Sequence, residues 1–390
     1  MARRDPSFHA RVEALADFLT DAGVLTDPRW RAALHEVPRG RFVPARAYAA
    51  SYLPEESDHV IDRSIDRAGW LNAVYRNFSI ITQRDDGATD PTDTAGTPTC
   101  SLSCPHIAME YLELLALERH HRVLEIGTGT GWTAAMLAWR VEADNIVTVE
   151  VDKDLAETAR ANLARIEWQP QVITGDGAEG YAARGPYDRV HVTCGIREVP
   201  GAWLAQTRPG GVIVAPYMPI GGAYGHQLVL HVLDAHNAVG RFTGGGGFMM
   251  LRSQRHPRSG AAVQTSTAEQ RVTRTDPRLI AAAQGGAQLA IAALVPGGLT
   301  IDTAAVRTGE GWGYEATLSV GDSAARCTAP PGADEYHVLQ QGERRLWDEA
   351  EAAYRWWLRR GLPGRERFGL DISEGRSRVW LDDPSAPVSV

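Results

Sequence analysis

The sequence predicts a doubly wound α/β fold, in which helices cover both faces of a mainly parallel sheet, with an additional C-terminal α+β domain. The chain has 390 residues, a length that suits two or three domains. Short apolar strands alternate with helices between residues 105 and 215, which is the pattern of a parallel sheet. Beyond residue 277, strand-like runs surround one long amphipathic helix at 343–360, which is typical of an α+β unit.

The composition argues against several classes of protein. Asp and Glu number 48 and Lys and Arg number 40, so the net charge of −8 disfavours a nucleic-acid or anionic-membrane binder. No apolar run reaches the roughly 20 residues of a membrane helix, and the first residues lack the apolar core of a signal peptide. The 4 cysteines do not make a disulfide framework. We therefore expect a cytoplasmic protein with reduced thiols.

The chain divides into five predicted segments. An N-terminal helical region covers residues 1–53, with helices at 8–22 and 28–36. Residues 54–104 are predicted to be a largely irregular insertion, whose polar stretch 84–99 favours a substrate loop or lid as much as a mobile surface insertion. The remaining segments are the α/β core at 105–252, a polar linker at 253–277 and the C-terminal α+β accessory domain at 278–390.

The glycine-rich turn Gly127-Thr128-Gly129-Thr130-Gly131 is the most informative motif. It joins an apolar strand at 122–126 to a helix at 133–140, and it lets a ligand approach the backbone beside a positive helix N-terminus. Such a turn by itself is shared with nucleotide-binding oxidoreductases. Here it contains neither the G-x-G-x-x-G spacing of dinucleotide folds nor the lysine of a phosphate-binding P-loop.

Three acidic residues accompany this turn and the next strands. Glu125 precedes the turn, and Glu150 ends the next strand, where a carboxylate can accept hydrogen bonds from two ribose hydroxyls. Asp176, beside Gly177, follows the third strand, where a carboxylate can receive an adenine amine. Each acid alone is also explained as a helix cap or an ion-pair partner. In this order, however, they indicate a pocket for S-adenosylmethionine rather than for a dinucleotide.

The chain resembles the protein-L-isoaspartate (D-aspartate) O-methyltransferase family over about residues 30–250. The matching motifs, in the family's order, are Val37-Pro38-Arg39-Gly40-Arg41-Phe42-Val43-Pro44, Ser103-Cys104-Pro105-His106, Val123 to Gly131, Gly175-Asp176-Gly177 and Arg208-Pro209-Gly210-Gly211. The resemblance implies a class I S-adenosylmethionine-dependent methyltransferase fold with a Rossmann-like doubly wound sheet. It also implies transfer of a methyl group from S-adenosylmethionine to a peptide carboxylate.

The resemblance further implies which residues act. Ser103 matches the family's active-site serine and would orient the attacking carboxylate; a helix N-cap is its alternative role, and one residue can fill both. Substrate contacts are expected at Thr82, Gln83 and His106, the last of which is equally explained by a structural role. No metal is expected, because no zinc pattern is complete. The expected cofactor contacts are Glu125, Gly127, Thr128, Gly129, Gly131, Glu150, Val151, Asp176 and Gly177.

Two departures from the family's pattern indicate a specialised form: the long connection through Asp58 to Cys100 and the continuation to residue 390. This form is similar to methyltransferases of lanthipeptide and ATP-grasp (graspetide) peptide maturation. The main hypothesis is therefore methylation of an aspartyl side-chain carboxylate in a modified ribosomal (RiPP) precursor peptide, leading to a succinimide (aspartimide) that either persists or hydrolyses to isoaspartate. General protein-L-isoaspartate repair is the alternative, and a non-catalytic S-adenosylmethionine-binding scaffold is the second alternative.

Overall fold

The computed structural model describes residues 6–51, 53, 55–256, 263–309 and 311–389. Residues 1–5 of the N-terminal region and residues 257–262 of the predicted linker lie outside these ranges. Within them the chain forms three sheets of four, nine and five strands. None of the helices in the described ranges has the length and hydropathy needed to cross a membrane.

The four-stranded sheet belongs to the N-terminal part of the chain. The elements of this part are α1 (Pro6–Asp21), α2 (Pro28–Glu36), β1 (Arg46–Ser51), β2 (His59–Asp62), α3 (Arg67–Val74), β3 (Phe78–Arg84) and β4 (Pro98–Leu102). The sheet is antiparallel in the order β2-β1-β3-β4. The prediction that residues 54–104 are largely irregular is therefore wrong in part. A local sequence pattern does not show the pairing of β3 with β1, and strand propensity depends on such neighbours.

The nine-stranded sheet contains the predicted doubly wound core, and its parallel strands are confirmed. The elements here are α4 (Pro105–Leu114), β5 (Val123–Ile126), α5 (Trp132–Arg140), β6 (Ile146–Glu150), α6 (Lys153–Leu163), β7 (Gln171–Thr174), β8 (Tyr187–Val192), α7 (Gly201–Ala205), β9 (Thr207–Tyr217), β10 (Gly225–Val232) and β11 (Ala238–Gly246). The strand order is β11-β10-β9-β8-β5-β6-β7, and β9 to β7 are parallel. The order in which the chain adds strands to the sheet therefore reverses between β5 and β8. A crevice opens at the carboxyl ends of these two strands.

The C-terminal part builds the five-stranded sheet, which is antiparallel in the order β12-β16-β15-β14-β13. Its elements are β12 (Glu269–Thr273), α8 (Pro277–Ala281), α9 (Gly285–Leu294), β13 (Thr300–Thr308), β14 (Gly311–Val320), β15 (Ser323–Ala329), β16 (Tyr336–Gln341), α10 (Leu346–Arg359), β17 (Phe368–Ser373) and β18 (Arg376–Leu381). α9 joins two cores, because Leu289 packs with the central sheet and Ile291 packs with the C-terminal sheet. β12 shows that the predicted polar linker contains a strand.

The hairpin of β17 and β18 extends the central sheet, although the sequence predicts it within the accessory domain. β17 pairs with β11 in an antiparallel ladder over Gly369–Ile372. Phe368 and Leu370 are buried in the same core as strands β8 to β10. Without the hairpin, β11 would end the sheet with unpaired backbone groups. The last strands of the chain are therefore structural components of the central unit.

We expect Phe368→Ala to lower the free energy of unfolding by about 3–5 kcal/mol, because the change empties a fully buried aromatic site. Arg376→Ala, at an exposed position of the same hairpin, should change the stability by less than about 0.5 kcal/mol. Urea unfolding followed by circular dichroism measures both variants. Equal stability of the two would show that the hairpin does not support the sheet.

Candidate active site

The glycine-rich turn after β5 presents its backbone to the crevice. Gly127, Gly129 and Gly131 have φ angles of 92°, 55° and 96°, in the left-handed region that favours glycine. A Cβ atom on Gly127 would lie 2.5 Å from Oγ1 of Thr193, and this hydroxyl donates to the carbonyl oxygen of Gly127 at 2.6 Å. Gly131 precedes α5 and faces Leu163. Thr193 and Leu163 thus contact the turn from the protein interior, and a ligand can approach Gly127 and Gly129 from the crevice.

Glu150 ends β6 on the wall of the crevice. Its Oε2 accepts a hydrogen bond from the backbone N–H of Gly129 at 2.8 Å, and its Oε1 accepts one from Asp152 at 3.0 Å. Burial raises the pKa of this carboxyl group, and the two backbone donors oppose that shift. Because each carboxylate oxygen can accept a second hydrogen bond, Glu150 can still bind two ribose hydroxyls.

The side chains of Glu125 and Thr128 point into the protein beneath the turn, whereas the sequence predicts direct cofactor contacts for both. Glu125 is fully buried; its Oε2 accepts from Oγ1 of Thr148 at 2.7 Å, and its Oε1 lies 3.3 Å from Nδ1 of His191. Thr148 also shares a hydrogen bond of 2.6 Å with the hydroxyl of Thr128. The polar atoms of Glu125 and Thr128 are therefore used inside the protein, where they support the loop.

The segments that follow β6 and β7 also line the crevice. Val151, after β6, and Gly177, after β7, both belong to its wall, as a cofactor-binding role requires. Asp176 stands outside the lining, and its Oδ1 accepts from the backbone of Ala178 at 2.9 Å and from Oγ of Ser253 at 3.1 Å. Its Oδ2 makes no hydrogen bond to a described residue. Asp176 therefore caps the turn and has one carboxylate oxygen left for a ligand.

One cleft of about 1180 Å³ connects this crevice with Ser103. Typical ligand pockets measure about 300–1,000 Å³, so this cleft has room for a cofactor and part of a second substrate. Sequence analysis did not single out several of its wall residues. These are Cys194, Phe248, Gln288 and Arg365, with the hydroxyl-bearing Thr193 below the turn. The sequence feature nearest to them is the run of four glycines at 244–247.

Ser103 lies just before α4 and lines the cleft. The backbone N–H of Cys104 donates to Oγ of Ser79 at 3.0 Å, and that of His106 donates to Oδ1 of Asn77 at 3.0 Å. These bonds satisfy N–H groups at the helix start. Cys104 occupies the N-cap position, so the alternative role of Ser103 as a side-chain cap is wrong. The Ser103 hydroxyl makes no hydrogen bond to a described residue and is available to a substrate.

The predicted substrate contacts Thr82, Gln83 and His106 are not part of the cleft wall. Nε2 of Gln83 donates to Oδ2 of Asp152 at 3.1 Å, so this side chain supports the cofactor end from outside. The Oγ1 atom of Thr82 is buried within the protein. His106 lies 3.5 Å from Glu110, and of these two residues it is Glu110 that lines the cleft.

Two arginines hold the loop after β3 beside the cofactor end. Arg255 forms paired hydrogen bonds of 2.6 and 2.7 Å with Asp86, and Arg252 contacts Asp86 at 3.0 Å and Asp152 at 3.1 Å. The Arg255 guanidinium lowers the pKa of Asp86 and keeps this carboxylate ionised. These contacts tie the loop to the cleft wall.

Arg39 is a buried cation at the junction of these parts. Its guanidinium donates to four backbone carbonyl oxygens, among them those of Phe78 at 2.9 Å and Ser103 at 3.0 Å. It also lies 5.1 Å from the ring centre of Trp132, the first residue of α5. Burial lowers the pKa of Arg39 to about 10, so the group stays charged at pH 7. The backbone at Arg39–Arg41 forms a 3-10 turn.

Comparison with known proteins identifies the family. A family model described as protein-L-isoaspartate(D-aspartate) O-methyltransferase (PCMT) matches residues 56–239. The protein-L-isoaspartate O-methyltransferase of Methanopyrus kandleri is 32% identical over 237 residues, which make up 59% of this chain and 85% of that protein. The chain belongs to the protein-L-isoaspartate O-methyltransferase family. The Rhodopseudomonas palustris protein of the same name is 35% identical over 184 residues, 46% of this chain and 80% of its own length.

The protein-L-isoaspartate O-methyltransferase family consists of S-adenosylmethionine-dependent carboxyl methyltransferases, and the fold agrees with this membership. A solved protein-L-isoaspartate O-methyltransferase aligns with a TM-score of 0.53 at 21% identity. The alignment covers 95% of this chain and 100% of that chain. It supports the class I methyltransferase fold and includes most of the C-terminal part described above.

The residues at the cofactor end fit S-adenosylmethionine. Of three carboxylates at this end, that of Glu150 lines the cleft, and those of Asp152 and Asp176 lie behind the lining. The two arginines that line this end are already paired, Arg252 with Asp86 and Asp152 and Arg255 with Asp86. Such a site favours hydroxyl, amine and cationic groups and disfavours the pyrophosphate of a dinucleotide.

We expect Arg39→Met to lower the free energy of unfolding by more than about 3 kcal/mol, because it leaves buried carbonyl oxygens without a donor. The matched control is Arg41→Met in the same motif, where the side chain is exposed and the change should cost less than about 0.5 kcal/mol. Chemical denaturation gives both values. A similar loss in both variants would contradict the central role assigned to Arg39.

Proposed function

We propose that this chain is a repair methyltransferase, which methylates the free carboxylate of L-isoaspartyl residues in damaged proteins and peptides. The observation that carries the proposal is one continuous cleft. In it the glycine turn and Glu150, at the cofactor end, share a wall with Ser103, whose hydroxyl is bound to no described residue. Family membership supplies the reaction class, and the relatives named above carry the isoaspartate specificity in their names.

The site needs no general base. S-adenosylmethionine, when bound, supplies a methyl group on a sulfonium carbon, and its sulfur leaves as a neutral thioether. The accepting carboxylate is ionised at neutral pH, because such groups have a pKa of about 3.9 or lower. The tasks left to the protein are orientation and exclusion of water. We assign orientation to Ser103, whose O–H would donate to one carboxylate oxygen and leave the other free to attack.

The thiols of the cleft do not compete for the methyl group. Burial raises the pKa of Cys100 to about 12, and it also raises the pKa values of Cys104 and Cys194. All three groups therefore stay protonated at neutral pH, and a protonated thiol is a poor nucleophile.

Methylation of an aspartyl side chain in a modified ribosomal precursor peptide is the more specialised use of the same chemistry. Two features suggested it, the long connection before residue 100 and the length of the chain beyond the core. That extension alone does not distinguish the two functions, because the aligned protein-L-isoaspartate O-methyltransferase structure covers 95% of this chain. We therefore favour general repair and include precursor peptides in the test.

The test measures methyl transfer by the full chain to three peptide sets: isoaspartyl peptides of varied sequence, the same peptides with normal aspartate, and precursor peptides encoded beside the gene. We expect methyl esters on the isoaspartyl set and none on the aspartyl set, read by product mass. A product found only on precursor peptides would establish the maturation role. Binding of S-adenosylmethionine without transfer to any set would establish the scaffold alternative.

Ser103→Ala should lower kcat on an isoaspartyl peptide by about 10- to 100-fold, since one hydrogen bond to a charged group is worth about 1.5–3 kcal/mol. The affinity for S-adenosylmethionine should not change, because Ser103 is not part of the cofactor end. Ser101→Ala is the control: its hydroxyl contacts Sδ of Met249 at 3.6 Å, and its kcat should fall less than about threefold. Initial-rate kinetics measure kcat for both variants, and a normal kcat for Ser103→Ala would refute the role assigned to Ser103.

A further inference from the structure

The cleft has a second polar end, at β10 and β11, where Glu110, Gln288 and Arg365 line it. In the central sheet β11 lies four strands from β5, which is roughly 19 Å at about 4.8 Å per strand. This end is therefore separate from the cofactor end. Arg365 comes from the segment between α10 and β17, outside the region matched by the family model.

Contacts within the protein hold the guanidinium of Arg365 in place. Its Nε donates to Nδ1 of His226 at 2.9 Å. Both terminal nitrogens would lie 3.2 Å from a Cβ atom on Gly245, so they rest against the backbone of the glycine run. The preceding segment is fixed too, since the carbonyl oxygen of Pro363 accepts from the indole N–H of Trp357 at 2.9 Å. Arg365 is thus preorganised without a ligand.

No acid pairs directly with Arg365 within the described part of the chain. Its two Nη groups make no hydrogen bond or salt bridge to a described residue. His226, its one hydrogen-bond partner, is fully buried, and burial lowers the pKa of His226 to about 3, so this imidazole is neutral. Of the acids nearby, Glu110 is engaged by Nε2 of Gln227 at 2.8 Å and by His106 at 3.5 Å. The exposed Glu366, next in the chain, acts on Arg365 only through space.

A continuous wall connects Arg365 with Ser103. Gly246, next to the glycine under Arg365, lies against the Phe248 ring and the Tyr111 hydroxyl, which a Cβ atom would approach to 3.3 and 3.4 Å. Phe248 and Tyr111 also line a small cavity of about 50 Å³ together with Ser103. A peptide with its reacting residue at Ser103 can therefore extend along this wall towards Arg365.

We propose that Arg365 is a substrate-binding residue, whose free Nη groups hold a carboxylate of the peptide in a bidentate contact. We assign this carboxylate to an acidic side chain close to the isoaspartyl residue. Planar pairing of a guanidinium with a carboxylate gives both strength and geometric selectivity. The inference rests on the proposed function, and it adds that the enzyme prefers isoaspartyl peptides with acidic neighbours.

The experiment measures peptide affinity separately from turnover. Fluorescence-labelled isoaspartyl peptides carry either Glu or Gln at single positions on each side of the isoaspartyl residue, and Kd is measured with the full chain saturated by S-adenosylhomocysteine. A further peptide carries an amide in place of the reacting carboxylate. The variants are Arg365→Met, Arg365→Lys and, as a matched control, Arg359→Met at the exposed end of α10. Thermal melting establishes that each variant is folded.

The wild type should bind the best Glu peptide about tenfold more tightly than its Gln counterpart, the value of one charge-assisted contact. Arg365→Met should abolish this ratio with little effect on the Gln peptide, and Arg359→Met should keep it. If Arg365→Met instead no longer distinguished the amide peptide from the peptide with the reacting carboxylate, Arg365 would bind the reacting carboxylate. An Arg365→Met variant with both discriminations unchanged, or a wild type with neither, would overturn the proposal.

Two controls keep the outcomes separate. If Arg365→Met does not fold, the test relies on Arg365→Lys, which retains the positive charge but cannot form a bidentate contact. The ratio of the Gln-peptide Kd to the Glu-peptide Kd should then fall by about threefold. An unchanged ratio would refute the proposal. Methylation of the Gln peptide by the wild type tests the proposed function independently of Arg365. Absence of methylation with a charge-dependent Kd would refute the repair function and leave the carboxylate site established.

Discussion

The buried guanidinium of Arg39 is the interaction on which the active site depends. A cation with 1% exposure is stable only when its lost hydration is replaced, and here backbone carbonyl oxygens and the Trp132 ring replace it. Because these partners belong to β3, to the Ser103 segment and to α5, their relative positions are set together. The distance between the Ser103 hydroxyl and the glycine turn is thus a consequence of one desolvated charge that must be satisfied.

The cleft changes character along its length in a way that suits its chemistry. Glu150 and the acid-paired Arg252 and Arg255 line the cofactor end, Phe248 and Met249 line the wall beyond it, and Arg365 lines the far end. Methyl transfer joins a cationic donor and an anionic acceptor, so charge is dispersed as the reaction proceeds. An apolar middle section, which hydrates neither reactant well, favours that dispersal. The two charged ends attract their ligands without placing another charge beside the reacting atoms.

Some of this site could be predicted from the sequence because its signals are local. The glycine turn and Glu150 each follow a buried strand, and the carboxyl ends of parallel strands meet at one edge of a sheet. Glu125 and Thr128 were assigned to the same wall, but their side chains face Thr148 and the protein interior. Arg365 carried no local signal: the role proposed for it rests on contacts with His226 and Gly245, which are distant in sequence.

The sequence by itself determined the doubly wound core, the family and the cofactor end, since hydrophobic periodicity, a glycine-rich turn and acids at strand ends are all encoded within short segments. Only the tertiary structure decided that residues 54–104 contain strands and that β17 and β18 complete the central sheet. It also decided which polar groups face the cleft. The physical reason is that strand pairing and the satisfaction of buried charges are settled between distant segments, where burial and neighbouring backbone groups outweigh local propensity.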